Sequence, residues 1–123
     1  MAWKKANRDL IDRLEQMVAA YPADRRFMFG SPTFFVNGNM FAGVHQDTII
    51  LRLPAAEREA VMAADPEVTL FTPMEGRPMK EYLALPYDVS EDGERLRDLV
   101  ERSFRYAASL PVKAPKTGKK KKS

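Results

Sequence analysis

The spacing of apolar residues changes character along the chain. Trp3, Ala6, Leu10, Leu14, Met17 and Val18 recur at helical intervals with charges between them. "WKKANRDLIDRLEQMVAA" therefore predicts an amphipathic helix. Pro22 ends it, because the residue before a proline avoids helical backbone. The period then shortens toward two. "RRFMFG" is short and β-prone, and Gly30 with Pro32 predicts a kink or bulge. "TFFV", "NMFAGVH" and "TIILRL" read as strands joined by Asn37–Gly38 and Gln46–Asp47. Asn-Gly suits a type I′ turn, which needs φ > 0 at both central positions. An antiparallel three-stranded meander follows.

Pro54 suits the start of a helix, where its missing N–H costs nothing. "AAEREAVMAA" continues that helix and Asp65–Pro66 breaks it. "EVTLFT" and "MKEYLAL" predict a fourth and a fifth strand around "PMEGRP", a loop rich in turn formers. After "PYDVSEDG", the residues Leu96, Leu99, Val100, Phe104, Ala107 and Ala108 trace one face of a last helix, and Pro111 closes it. The order is α-β-β-β-α-β-β-α. It implies a two-layer α+β fold, an antiparallel five-stranded sheet with helices on one face. Residues 1–111 form the domain, and residues 112–123 are expected to stay disordered.

Two-residue turns fix which side chains share a face. Val36 then opposes Asn39, Phe35 opposes Met40 and Phe34 opposes Phe41. His45 opposes Thr48, Val44 opposes Ile49 and Ala42 opposes Leu51. One face collects Phe35, Met40, Ala42, Val44, Ile49, Leu51 and Leu53 and is the expected core face. The other collects Phe34, Val36, Phe41 and Ile50 among polar residues. With no helix to cover it, this quartet is an expected interface for self-association or a protein partner. A three-residue turn at Asn37–Asn39 would instead shift the register and move some of these side chains to the core.

Composition narrows the classes. The chain has 123 residues, enough for one hydrophobic core, and 45% of them are hydrophobic. No apolar run approaches the ~20 residues needed to span a bilayer, and the N-terminus lacks a signal-peptide pattern. A cytoplasmic location without membrane association is expected. With no cysteine, disulfides and thiolate chemistry are excluded. The formal charge of +3 comes from the end of the chain: Lys113, Lys116, Lys119, Lys120, Lys121 and Lys122 fall in residues 112–123, which contain no acid. Removing these six from the 20 basic side chains leaves 14 against 17 acidic ones, so residues 1–111 carry about −3.

Candidate chemistry is sparse. His45 is the sole histidine, and its place beside a turn predicts a solvated surface residue. A histidine- or cysteine-based metal cluster is excluded. Ser31, Ser90, Ser103 and Ser109 have no evident base in the sequence. "GSPTFFVNG" lacks the spacing of a phosphate-binding loop. The acids of "SEDGE" favour a helix start. No enzyme activity, cofactor or metal is expected. Arg52, Arg77 and Lys80, around "EGRPMKEY", are candidate anion-binding residues, against the simpler reading of a turn shaped by Gly76 and Pro78 with Arg77 in a surface ion pair. The six lysines at the end are candidates for non-specific nucleic-acid binding through counterion release. They have no aromatic neighbour for base stacking.

Taken together, "MFG" at Met28–Gly30, "FVNGNMFAGV" at Phe35–Val44, "LRLP" at Leu51–Pro54, "FTPMEGRPMKEYLALP" at Phe71–Pro86 and "SLPVK" at Ser109–Lys113 resemble the N-terminal domain of the TfoX (Sxy) family. The resemblance spans about Arg25 to Lys113. It implies an α+β unit of secretion-chaperone-like arrangement and a link to competence or transcription regulation. Competence regulators of the family add a helical C-terminal domain, which the lysine-rich end replaces here, so a stand-alone domain is expected. No catalytic residue is carried over from the family. The expected function is a non-enzymatic interaction domain that associates with itself or a protein partner. The alternatives are a nucleic-acid accessory protein or an anionic-ligand-binding domain.

Overall fold

The computed structural model describes residues 7–28, 31–74 and 77–112. The elements in chain order are α1 (Arg8–Val18), β1 (Asp24–Met28), β2 (Ser31–Val36), β3 (Asn39–His45), β4 (Thr48–Arg52), α2 (Ala55–Ala64), β5 (Thr69–Met74), β6 (Arg77–Pro86), α3 (Tyr87–Ser90) and α4 (Gly93–Ser109). The strands form one antiparallel sheet of six in the order β1-β2-β3-β4-β6-β5. The α+β class is as expected. The sheet has a sixth strand, β1, in the stretch read as a β-prone lead-in, and α3 is a single extra turn before α4. Trp3, Ala6, Gly30, Gly76 and the six lysines of residues 113–123 lie outside the described residues.

The helices start where their caps allow. Asn7 accepts from the N–H groups of Asp9 and Leu10, and Asp92 accepts from that of Arg95. The main-chain N–H of Asn7 also donates to Gln46 O at 2.7 Å, and its side chain donates to Asp47. These bonds tie the start of α1 to the turn between β3 and β4. Leu10, Leu14 and Val18 of α1 and Leu96, Leu99, Val100 and Ala107 of α4 lie in the core with Ala42, Val44, Ile49, Leu51, Leu83 and Leu85 from the sheet.

The hairpin register departs from expectation at one place. Val36 opposes Asn39 and Phe35 opposes Met40, as two-residue turns require, with Asn37 at φ 53° and Gly38 at φ 80°. The ladder then slips, and Phe34 opposes Ala42. Phe41 is the extra residue of a β-bulge, so Phe41 and Ala42 both turn toward the helices. Phe41 is fully buried, its ring edge-on to Phe104 of α4 at 5.4 Å. Phe34 and Val36 join it in the core. The expectation that Phe34, Val36 and Phe41 share a bare face is therefore corrected. Phe35 and Met40, expected in the core, take the other side.

The bulge is held by a side chain from far along the chain. The Ser103 hydroxyl, on the buried face of α4, donates to Phe41 O at 2.6 Å and accepts from Arg52 N–H at 3.1 Å. The pairing of β3 with β4 stops at Ala42↔Leu51, and continuing it would set Phe41 opposite Arg52. Ser103 thus links the two central strands at the bulged end of their ladder. The β2–β3 turn is tied to α4 as well. Asn39 donates to Ala107 O at 3.4 Å and to Pro111 O at 3.1 Å, near the carbonyl end of that helix.

Candidate functional site

With the helices on one side, the open face of the sheet is the other. That face carries Thr33, Phe35, Met40, Gly43, His45, Ile50, Phe71 and Tyr82. Phe71 on β5 and His45 on β3 are separated by β6 and β4. In a flat sheet three strand spacings would hold them about 14 Å apart. Their ring centroids are 5.1 Å apart, edge to face. The sheet curls and the two rings lean together over the face. Ile50 beneath them is 1% exposed and Phe71 6%, and the remaining space is about 20 Å³. Ile50 does sit on the face away from the helices, as expected, but it is covered by the sheet's own side chains. The expected apolar patch of Phe34, Val36, Phe41 and Ile50 is not on the surface.

His45 is half-buried rather than freely solvated, and desolvation lowers its pKa from 6.5. Its neutral ring edges an open depression of about 700 Å³, lined also by Thr48, Thr69, Phe71, Thr72 and Ala84. Among the described residues no group of three or more histidines and carboxylates could hold a metal ion, and no helix is long and apolar enough to cross a membrane.

Arg52, on β4 opposite Tyr82, is held by three neighbours. Its guanidinium bonds Glu81, with Nε 2.7 Å from Oε1, and lies 5.5 Å from the Tyr82 ring centre and 5.9 Å from that of Tyr106. Burial, above the opposing effect of Arg52, raises the Tyr82 pKa, and the Tyr82 hydroxyl donates to Met40 O at 3.3 Å. This group braces β6 against the bulged end of β3. The expected anion site is not assembled as one cluster. Arg52 is already neutralised by Glu81, and Lys80 is exposed. The backbone of Arg77 pairs with Met74 at the far end of the hairpin, roughly 15 Å along the strand from Tyr82.

Unanticipated from the sequence is the edge strand β1. Asp24, Arg25, Arg26 and Phe27 are all exposed, Phe27 by 65%. Arg25 bridges to Glu15 of α1 at 2.7 Å and stands 5.0 Å from the Phe27 ring centre. Arg26 lies 4.7 Å from the Phe35 ring centre. The arginine–aromatic neighbours in "RRF" were a visible signal, but only the sheet order makes them an edge.

The architecture is thus a six-stranded, curled antiparallel sheet with helices on one face and its charged and aromatic groups gathered at an edge and a corner. The TfoX N-terminal domain matches residues 15–107, and the chain belongs to that family. Comparison with curated proteins and with solved structures gives no match.

Proposed function

We propose that the chain is a non-enzymatic interaction domain in the regulation of transcription or competence, working by binding a protein partner. The observation that carries this reading is membership of the TfoX N-terminal domain family over residues 15–107. The geometry supports it. The groups resembling a reactive site have structural partners: Arg52 is held by Glu81 and two tyrosines, and His45 packs on Phe71. Exposed apolar and cationic groups meet on β1. Transcript profiling of the native cell with and without the gene tests the reading. Changed levels of a coherent gene set, restored by the wild-type gene, are expected. An unchanged profile under competence-inducing and ordinary growth would refute it.

A second reading rests on the charge segregation in the sequence. Six lysines without an acid follow a domain of about −3, and this end would bind nucleic acid non-specifically through counterion release. Mobility shifts with and without residues 112–123 test it. Binding that disappears with the segment and weakens with salt is expected, whereas sequence-selective binding without the segment would contradict it.

A further inference from the structure

The two edges of the sheet are protected in different ways. On β5 the pairing slips twice and Pro73 offers no N–H, so the strand is a poor template for another chain. β1 is regular: all five residues pair in register with β2 from Asp24↔Phe35 to Met28↔Ser31. Among the described residues no strand covers its outer side. Its protection is two adjacent arginines, one toward each face of the sheet. Charge deters only a like charge. Antiparallel pairing with β1 of a second copy, centred on the arginines, would set cation against cation and is disfavoured. An acidic strand meets the opposite condition.

We propose that β1 is a strand-addition site for an extended acidic segment of a partner protein. The inference deepens the interaction-domain reading by naming where the partner sits and what it carries. Main-chain hydrogen bonds to the edge supply affinity and side chains supply selection. An antiparallel partner places an apolar residue beside Phe27, then two consecutive acids beside Arg26 and Arg25, then a polar or basic residue beside Asp24. No carboxylate among the described residues pairs with Arg26, so it is available to the incoming acid.

The test is fluorescence polarisation with the full chain and a labelled, end-blocked peptide Thr-Val-Phe-Glu-Glu-Lys-Val-Thr. Saturable binding is expected. It should weaken about tenfold for Arg26→Glu and for a peptide with Lys-Lys in place of Glu-Glu. A peptide N-methylated at the alternate residues whose N–H groups face the edge keeps every charge but cannot zip to it. It should lose binding by at least a similar factor, and this arm does not depend on any variant folding. Absence of binding, or binding indifferent to N-methylation, overturns the proposal. Equal or tighter binding of an oligothymidylate that competes with the peptide also overturns it, in favour of nucleic acid. If transcripts respond to the gene while the peptide fails to bind, the edge site falls and the regulatory reading stands.

Discussion

Replacing Ser103 by alanine removes one hydroxyl that bonds two main-chain groups. Ser103 is fully buried, accepts from Arg52 N–H and donates to Phe41 O. A buried group left without a partner costs about 1–3 kcal/mol. The Phe41 carbonyl should incur most of that cost and the part-buried Arg52 amide less, for a total of about 2–4 kcal/mol. With an m-value near 2 kcal/mol/M, the urea midpoint falls by about 1–2 M. Circular dichroism follows the midpoint, and amide exchange at Arg52, read by NMR, reports the same site. Ser103→Ala should accelerate exchange there beyond what the global loss explains. A midpoint shift below about 0.3 M with the Arg52 amide still protected would mean that the strands close directly once the hydroxyl is gone. The serine would then fill space without carrying the bridge, and the reasoning would be refuted.

Phe41→Ala should cost about 3–5 kcal/mol by urea denaturation, as for other fully buried phenylalanines; an unchanged midpoint with an altered mass in light scattering would restore the expected interface. His45 is charged less readily in the folded than in the unfolded chain, so stability should hold above pH 6.5 and fall as pH drops from 6.5 toward the lowered folded value. His45→Gln should flatten that limb, and the single histidine ring signal in NMR reads the titration directly. Asn39→Asp removes the donor that reaches Ala107 O and Pro111 O and sets a negative charge near the carbonyl end of α4. A loss of about 1–3 kcal/mol at pH 7, recovered in part as the new carboxylate protonates below about pH 4, should appear in paired urea melts. Arg52 and Glu81 are 19% and 42% exposed, so a double-mutant cycle should give a coupling below about 1 kcal/mol.

Local chemistry made much of the sheet readable. Asn37–Gly38 specified its turn, and the pairs from His45↔Thr48 to Ala42↔Leu51 follow from a two-residue turn at Gln46–Asp47. The apolar face of α4 was evident from its spacing. The bulge was not, because nothing within β2 or β3 demands it; its support, Ser103, lies 62 residues from Phe41. A signal did exist in the lone polar residue at a buried position of an otherwise apolar helical stripe. The faces of Phe34, Val36 and Phe41 were misread for that one slipped residue, since a shift of one inverts every side chain beyond it. β1 was legible only as a short β-prone stretch because "DRRFM" alternates weakly, and it becomes a strand by pairing with β2. Gly30 with Pro32 predicted a kink or bulge, yet Pro32 lies within β2, which pairs with β3 only from Thr33 onward, so its missing N–H interrupts no bond between those two strands. The covering of Ile50 depended on Phe71 arriving from two strands away.

The hydroxyl between Phe41 and Arg52 also sets an order of events during biosynthesis. Strands that are neighbours in sequence pair in register from His45↔Thr48 to Ala42↔Leu51, but the bulged end of β3 is bridged to β4 by a side chain of the final helix. A nascent chain that has extruded the meander but not residue 103 lacks that bridge. The last helix acts as a clasp, and until it docks the apolar face of the emerging strands stays open to a chaperone.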